Sequence, residues 1–438
     1  MIKITKFGGS STADAGQFRK IKAIIESDPA RKFVVVSAAG KRYKEDNKVT
    51  DLLYLVDAHC QYHVDARPLL SDIRSRYVGI AHELGLKYPI ADEFDDFAAH
   101  VSEFDTEYIV SRGEYFTARL MSEWLGLPFV DAAGTVIFHH DGTVNMEATG
   151  ERVRAEAMRG TGFVMPGFYG TTPEGDIKLL SRGGGDVTGA IVASCIGADL
   201  YENWTDVSGF LTADPRIVDN PRSIRRITFD EMRELSYMGA SVLQEEAIFP
   251  VRAANIPIRI KNTNHPEVHG TTIRETAEMG EDEPLVTGIA GRKDFMSFHV
   301  KKNHMADTVG YMRKVLGVFE RYGVSIEHVP TSIDSFGVVV NEADVKDKLY
   351  SIVSAIEEEA EPDEVRVLDD LALISVVGRN LSFAKGTAGK LFSALGEANI
   401  NIRLLTQSAQ EINITLGVEE EDFEEAIRVI YETFVRNE

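Results

Sequence analysis

Apolar positions in the first two thirds of the chain follow two alternating periods. Ile2 to Thr5 is a short strand-like run, and Phe33-Val34-Val35-Val36 is continuously apolar, as a strand buried on both faces should be. Between them Phe18, Ile21, Ile24 and Ile25 recur at helical spacing, behind a predicted capping box at Asp14-Ala15-Gly16-Gln17. Each strand runs into small residues: Gly8-Gly9-Ser10-Ser11 after the first, Ser37-Ala38-Ala39-Gly40 after the second. Strand and small-residue turn recur at Gly162 to Gly170 and at Ala198 to Trp204. This alternation predicts an α/β fold, a mostly parallel sheet covered by helices. Ligands of such sheets bind beyond the carboxyl ends of the strands, where the turns converge.

The stretch from Thr271 to Pro284 breaks the pattern. It is acidic and poor in large apolar residues, and reads as an exposed passage near a domain boundary. Beyond it the chain repeats itself at an offset of 76 residues. Val324-Ser325-Ile326 matches Ile400-Asn401-Ile402, Gly310 meets Gly386, Leu316 meets Phe392, Phe319 meets Leu395, Val329 meets Leu405 and Val338 meets Ile414. Each copy reads strand, glycine turn, amphipathic helix, strand, turn, strand, which is the signature of a duplicated module. The expected division is residues 1–280, 290–365 and 366–438, with the C-terminal end completing the first repeat as one option.

Composition narrows the classes of function. The net charge of -22 argues against nucleic acid or an anionic membrane as partner. Cys60 and Cys195 are the only cysteines, far apart and without ligand-spaced His or Cys, so neither a zinc site nor a disulfide framework is expected. No signal-peptide core or membrane-length apolar stretch is evident, and a cytoplasmic location is the default.

Lys6 leaves a strand into two glycines and two hydroxyls, a pattern suited to an anion. The glycines let backbone N–H groups approach, and the lysine supplies charge. It is not the Walker motif, in which the lysine follows the glycines. Ser181-Arg182-Gly183-Gly184-Gly185-Asp186 joins an anion-binding turn to fixed charges, ahead of a predicted helix from Thr188 to Ile196. Arg182 can grip a carboxylate or phosphate through paired hydrogen bonds. Asp186 is either a helix-capping carboxylate or one that orients a metal ion or the lysine. Ser111-Arg112-Gly113-Glu114 is expected at the start of a helix, with Glu114 a helix N-terminal carboxylate or the partner of a substrate ammonium. Thr205-Asp206-Val207-Ser208-Gly209 and Asp214-Pro215-Arg216 suit a nucleotide's ribose and phosphates, or a solvated turn.

Taken in order, Lys6-Phe7-Gly8-Gly9-Ser10-Ser11, Ser111 to Glu114, Pro166-Gly167-Phe168-Tyr169-Gly170, Arg182 to Asp186 and Thr205 to Gly209 resemble the aspartate kinases of the amino acid kinase family. The duplicated tail resembles their paired ACT domains, most clearly at Glu411-Ile412-Asn413-Ile414. The resemblance implies a three-layer sandwich followed by two ferredoxin-like ACT domains. It implies phosphorylation of the side-chain carboxylate of L-aspartate by ATP with Mg²⁺, the metal being held largely through phosphate oxygens and not by a protein cage. Lys6 would be the main catalytic cation, organised by Asp186, and Gly8, Gly9 and Ser10 would line the phosphate turn. Thr205, Asp206 and Arg216 would hold the nucleotide. Arg182 would take the α-carboxylate of aspartate and Glu114 its ammonium, with Thr50, Ser37 and Phe168 beside them. An end-product amino acid, L-lysine before L-threonine, would bind at Met305, Thr308, Gly310, Glu327, Thr331, Ser332 and Asp334. The ACT domains would join two copies into a homodimer.

The chain departs from the family pattern in three places. Gly185 stands where serine is common. Gly239-Ala240-Ser241-Val242-Leu243-Gln244 lacks a lysine at Ser241 and a histidine at Gln244. The loop Lys41 to Lys48 is longer and more basic, and reads as a solvated surface loop in preference to a lid. Two other readings stay open: a related kinase of another small carboxylate or a nucleoside monophosphate, and a degenerate homologue that senses an amino acid.

Overall fold

The computed structural model describes residues 1–180, 183–240, 243, 249–276, 284–381 and 383–436. They form two compact units. The first comprises Met1–Phe210, Arg225–Phe229 and Val242–Ala277; the second comprises Leu211–Ile224, Asp230–Ser241 and Glu278–Glu438. Composition places one division near 280, whereas in the structure the chain passes into the second unit three times.

The first unit is built on seven strands, in the order Phe163–Pro166, Arg31–Val36, Lys3–Phe7, Leu200–Thr205, Ile258–Asn262, Thr271–Arg274 and Arg226–Thr228. The first five are mutually parallel, so their carboxyl ends and turns share one edge. Phe33 to Val36 are all buried, as a central strand requires. The helix Ala15–Glu26 turns Phe18, Ile21 and Ile24 into the core with Phe7 and Trp204. Full burial of each such side chain contributes about 1.5–3 kcal/mol. Its cap is half of the expected box. Asp14 accepts from the Gln17 N–H at 2.9 Å, but the Gln17 amide donates to Asn264 and does not return to the cap.

Two further expectations change. Thr271–Arg274 is a strand whose three leading residues are buried, not part of an exposed passage. β-Branched threonines suit a pleated surface, and the Thr271 hydroxyl accepts from the Phe210 N–H at 2.8 Å. Residues 277–283 of that passage lie outside the described residues. Ser111 to Glu114 sit in the second and third turns of the helix Thr106–Leu125, not at its start. The N-cap is Asp105, which accepts from the Tyr108 N–H.

The second unit carries the repeat on one five-stranded sheet. Helices Tyr311–Arg321 and Thr387–Glu397 are offset by the same 76 residues, each preceded by a left-handed glycine, Gly310 (φ 78°) and Gly386 (φ 86°). Two long strands, Gly288–Lys301 and Glu364–Val377, pair antiparallel through the centre. The half Phe295–Lys301 packs in the first repeat's core, while Ile289 packs in the second's. Each long strand therefore serves both modules. Asp294 (φ 67°) and Asp370 (φ 54°) take left-handed conformations at the register shift between the halves, where aspartate is tolerated. The C-terminal end does not complete the first repeat. Phe434 and Val435 are buried in the second core, and the segment from Gly288 pairs with Val377 to complete that second module from upstream. Ala213 and Val218, long before the repeat in sequence, also belong to this core.

Candidate functional site

The turns at the sheet's carboxyl edge are tied directly to one another. Gly8 N–H donates to Trp204 O at 2.9 Å, Ser37 N–H to Phe7 O at 3.0 Å, Gly40 N–H to Gly9 O at 2.8 Å and Gly167 N–H to Val36 O at 2.9 Å. The Thr12 hydroxyl lies 3.1–3.4 Å from the carbonyls of Gly8, Gly9, Ser37 and Ala38. Glycine is required where two turns touch: a Cβ on Gly40 would lie 2.5 Å from the Gly9 carbonyl carbon. Ser10 stays half-buried on the 3-10 turn Gly9–Thr12, while Ser11 turns away to bond Thr263 at 2.7 Å.

Lys6 is inside the strand Lys3–Phe7 rather than after it, and only 6% exposed. Its Nζ lies 2.6 Å from Asp186 Oδ1, and the Asn203 amide donates to the same oxygen at 2.9 Å. Asp186 sits in the first turn of the helix Gly184–Ile196, whose leading N–H groups face no intrahelical acceptor and suit an anion. Asn203 was not anticipated from sequence. Its one signal is register, since it pairs with Lys6 across adjacent parallel strands.

Glu114 reaches the same site from the long helix. It is 5% exposed, and its Oε2 has no hydrogen-bond partner. Burial pushes its carboxyl up to about 7, against smaller opposing effects from the Ala38 backbone and the Lys6 charge. Gly113 beside it packs on Ala38, 2.8 Å from where a Cβ would stand. A buried carboxyl with an open oxygen near a lysine leaves room for one further donor.

Phe168 holds a left-handed backbone (φ 77°), with its N–H on the Thr188 hydroxyl at 3.0 Å. Gly185 lies opposite: a Cβ there would stand 2.6 Å from Ser37 Oγ and 3.3 Å from Lys6 Cε. The Ser37 hydroxyl thus occupies the space that a side chain at 185 would need. Thr50 is the second residue of the helix Val49–Gln61, whose first N–H donates to Ala39 O at 3.0 Å. Thr205 ends its strand with its hydroxyl on the exposed Asp206 at 3.1 Å. Lys6, Gly8, Gly9, Ser37, Glu114, Gly185 and Asp186 are brought together. Ser181, Arg182, Ser241 and Gln244 lie outside the described residues. Arg216 belongs to the second unit, exposed and forked onto Asp214.

The loop 41–48 is a surface loop pinned at one point. Asp46 is buried between Arg42 and Arg76, whose guanidinium groups hold its carboxyl well below the usual range, and Arg76 also donates to Gly40 O at 3.0 Å. Among the described residues no group of three or more His, Cys, Asp or Glu is placed to hold a metal ion, and no helix is long and apolar enough to cross a membrane.

Residues 1–262 match the model of the amino acid kinase family. Aspartokinase 3 of Bacillus subtilis is 36% identical over 99% of this chain and 98% of its own length. The chain belongs to the amino acid kinase family, among its aspartokinases. Residues 374–434 match an ACT domain. The crystal structure of Clostridium acetobutylicum aspartate kinase superposes with a TM-score of 0.92 at 42% identity, covering 99% of both chains. Escherichia coli aspartokinase III, solved with aspartate and ADP and again with lysine and aspartate, superposes at 0.73 and 0.76, at 25% identity and with 99% of both chains covered.

In this aspartokinase the residues expected to bind an effector are spread over the first repeat. Met305 is buried in the 3-10 turn Met305–Asp307, and the exposed Thr308 bonds the His304 carbonyl. Thr331, Ser332 and Asp334 form the tip of a hairpin, which the Asp334 carbonyl ties to the Lys302 N–H at 2.8 Å. Glu327 is four residues up that hairpin, roughly 13 Å at ~3.3 Å per residue, and its carboxylate accepts from the Tyr237 hydroxyl.

Proposed function

We propose that this chain transfers the γ-phosphoryl group of MgATP to the side-chain carboxylate of L-aspartate, releasing 4-phospho-L-aspartate and ADP. The reaction is the first step of the aspartate-derived lysine, threonine and methionine pathway, placed in the cytoplasm. The observation that carries the reading is the convergence of Lys6, paired with Asp186, on the open buried carboxyl of Glu114. Phosphoryl transfer asks mainly for positioning and charge stabilisation. Lys6 stabilises charge on the phosphates, and Asp186 with Asn203 aims it. Gly8, Gly9 and Ser10 line the phosphate turn, Thr205 and Asp206 take the nucleotide, and Arg216 is assigned there on the family pattern. Glu114 takes the ammonium of aspartate and Arg182 its α-carboxylate, with Ser37, Thr50 and Phe168 around the substrate. Mg²⁺, held with the nucleotide, would supply further positive charge beside Lys6.

The lysine and aspartate bound to the E. coli protein support a second element, feedback by an end-product amino acid acting through the tail, L-lysine before L-threonine. The tail also joins two copies into a homodimer, and light scattering at micromolar concentration checks this.

Coupled ADP release with separate amino acids tests the activity. Aspartate should support turnover, and glutamate, acetylglutamate and nucleoside monophosphates should not. Turnover with one of those instead, or with none, overturns the assignment.

A further inference from the structure

The last of the five parallel strands, Ile258–Asn262, ends in Asn262-Thr263-Asn264, and these three residues reach two other turns at the same sheet edge. Asn262 is 5% exposed and is the register partner of Thr205 on the neighbouring strand. A buried side-chain amide has two N–H donors and an acceptor oxygen to satisfy. The Asn264 N–H donates to Asn262 Oδ1 at 2.8 Å, which fixes the orientation of the amide. The amide nitrogen therefore faces the loop that follows Thr205, and donates to Asp206 O and to Ser208 Oγ, each at 3.0 Å. One fork holds the loop at two points. The far end of the loop is held separately, by the Phe210 N–H on the Thr271 hydroxyl at 2.8 Å.

Thr263 makes the second tie. Its N–H donates to Thr205 O at 2.9 Å, and its hydroxyl meets that of Ser11, in the turn Gly9–Thr12, at 2.7 Å. Thr263 and Ser11 are 1% and 2% exposed, so each hydroxyl depends on the other for a partner. Asn264 adds outer bonds to the helix after that turn, accepting from Gln17 at 3.2 Å and Lys20 at 2.7 Å. These outer bonds are exposed, whereas the ties made by Asn262 and Thr263 are buried, where a lost partner costs more. In the loop itself Asp206 is exposed and Thr205 and Ser208 are half-buried, so packing alone does little to fix it. Because Ser208 Oγ accepts from Asn262, its own proton points away from the amide and is left for another acceptor.

We propose that Asn262 and Thr263 are positioning residues for the nucleotide, a brace that holds the loop Thr205 to Gly209 at a fixed separation from the turn Gly9–Thr12. Asn262 acts through Asp206 and Ser208, and Thr263 acts through Ser11. The same fork presents the Ser208 hydroxyl as a further donor to a ribose or phosphate oxygen. The proposal rests on the reading above that gives Thr205, Asp206 and the phosphate turn to the nucleotide. It adds what keeps those two segments in register with each other, since they lie on different turns and share no direct side-chain bond among the described residues.

The test is titration calorimetry of the full chain with ADP, alongside steady-state kinetics. Asn262→Asp keeps the acceptor for the Asn264 N–H and removes both donors. It should weaken ADP about tenfold, the scale of one or two net hydrogen bonds, and raise the ATP KM by a similar factor with the aspartate KM within about twofold. A merely structural role would move both KM values together or lower the active fraction alone. Thr263→Val, of the same shape without the hydroxyl, should weaken ADP about threefold, and Thr263→Ser should bind it as the wild type does. Ser208→Ala should also weaken ADP about threefold, and unchanged affinity there removes that hydroxyl from the site. Wild-type ADP affinity in both Asn262→Asp and Thr263→Val overturns the brace, as does an equal rise in the two KM values. Should Asn262→Asp fail to fold, Thr263→Val against Thr263→Ser decides. Asp206→Ala separates the two readings. Unchanged ADP affinity in that variant takes the loop out of nucleotide binding and overturns both, whereas weakened affinity there with wild-type affinity in Asn262→Asp and Thr263→Val overturns the brace alone.

Discussion

Asp186 Oδ1 is shared by Lys6 at 2.6 Å and Asn203 at 2.9 Å, which places one carboxylate oxygen between a strand-borne cation and a strand-borne amide. Lys6 and Asn203 are register partners on neighbouring parallel strands, so the backbone ladder sets their separation. Asp186 arrives from a helix and closes the triangle. An arrangement held from three elements keeps the ammonium group aimed without help from a ligand.

Lys6→Met should therefore leave a folded chain with kcat lowered at least 10³-fold, about 4 kcal/mol of lost transition-state stabilisation. Asn203→Leu should lower kcat about tenfold with little change in aspartate KM, because it acts through Asp186. Steady-state kinetics with circular dichroism as a folding control decides both. Lys6→Met activity within tenfold of wild type would remove Lys6 from the chemistry.

Glu114 gives the site a pH dependence. Burial raises its carboxyl from 4.5 to about 7, so near pH 6 it is mostly protonated. An ammonium needs the carboxylate form, and binding below pH 7 must release that proton. Aspartate KM should fall about tenfold per pH unit as pH rises toward 7 and level off above it. The folded state, which favours the protonated form, loses stability over the window from 4.5 through 7. Glu114→Gln should flatten the KM profile, and an unchanged profile in that variant would contradict the role.

Gly185 and Ser37 should be coupled. Gly185→Ala brings a Cβ to 2.6 Å from Ser37 Oγ, so the hydroxyl must rotate away or Lys6 must shift. The single variant should lose about tenfold in kcat/KM for aspartate, and Ser37→Gly in the same chain should restore part of it. Additive losses in the double-mutant cycle would mean that the two positions do not meet.

In the second unit Glu231 is fully buried and accepts from the Thr287 hydroxyl at 2.6 Å, the Arg379 N–H at 2.9 Å and the Arg379 guanidinium at 2.8 Å. Glu231→Ala removes the acceptor of these three hydrogen bonds and should cost about 3–5 kcal/mol, seen as a lower urea midpoint of the tail's unfolding. Glu231→Gln, which keeps acceptor and shape, should lose less. Equal midpoints for wild type and Glu231→Ala would show that the cluster contributes nothing.

The parallel sheet, the glycine turns and the 76-residue repeat were legible from the chain alone, because their signals are local. A strand buried on both faces must be apolar, and two turns in contact must be glycine. Lys6 was legible as a candidate for chemistry, and Asp186 and Glu114 each as one of two options, because charged residues beside glycines are rare in a core. What Glu114 and Asn203 face was not. Their roles depend on which strands are neighbours and which helix lies above them, and no period in the sequence encodes that. The half-made capping box at Gln17 and the burial of Thr271 to Ile273 likewise turn on partners far along the chain. The threading of Leu211–Ile224 and Asp230–Ser241 into the second unit, and the completion of the second repeat by the strand that precedes the first, were decided by tertiary structure alone. A strand needs a paired edge and a buried face, and any segment of suitable pattern can supply them. Which one does is set by the packing of the whole unit.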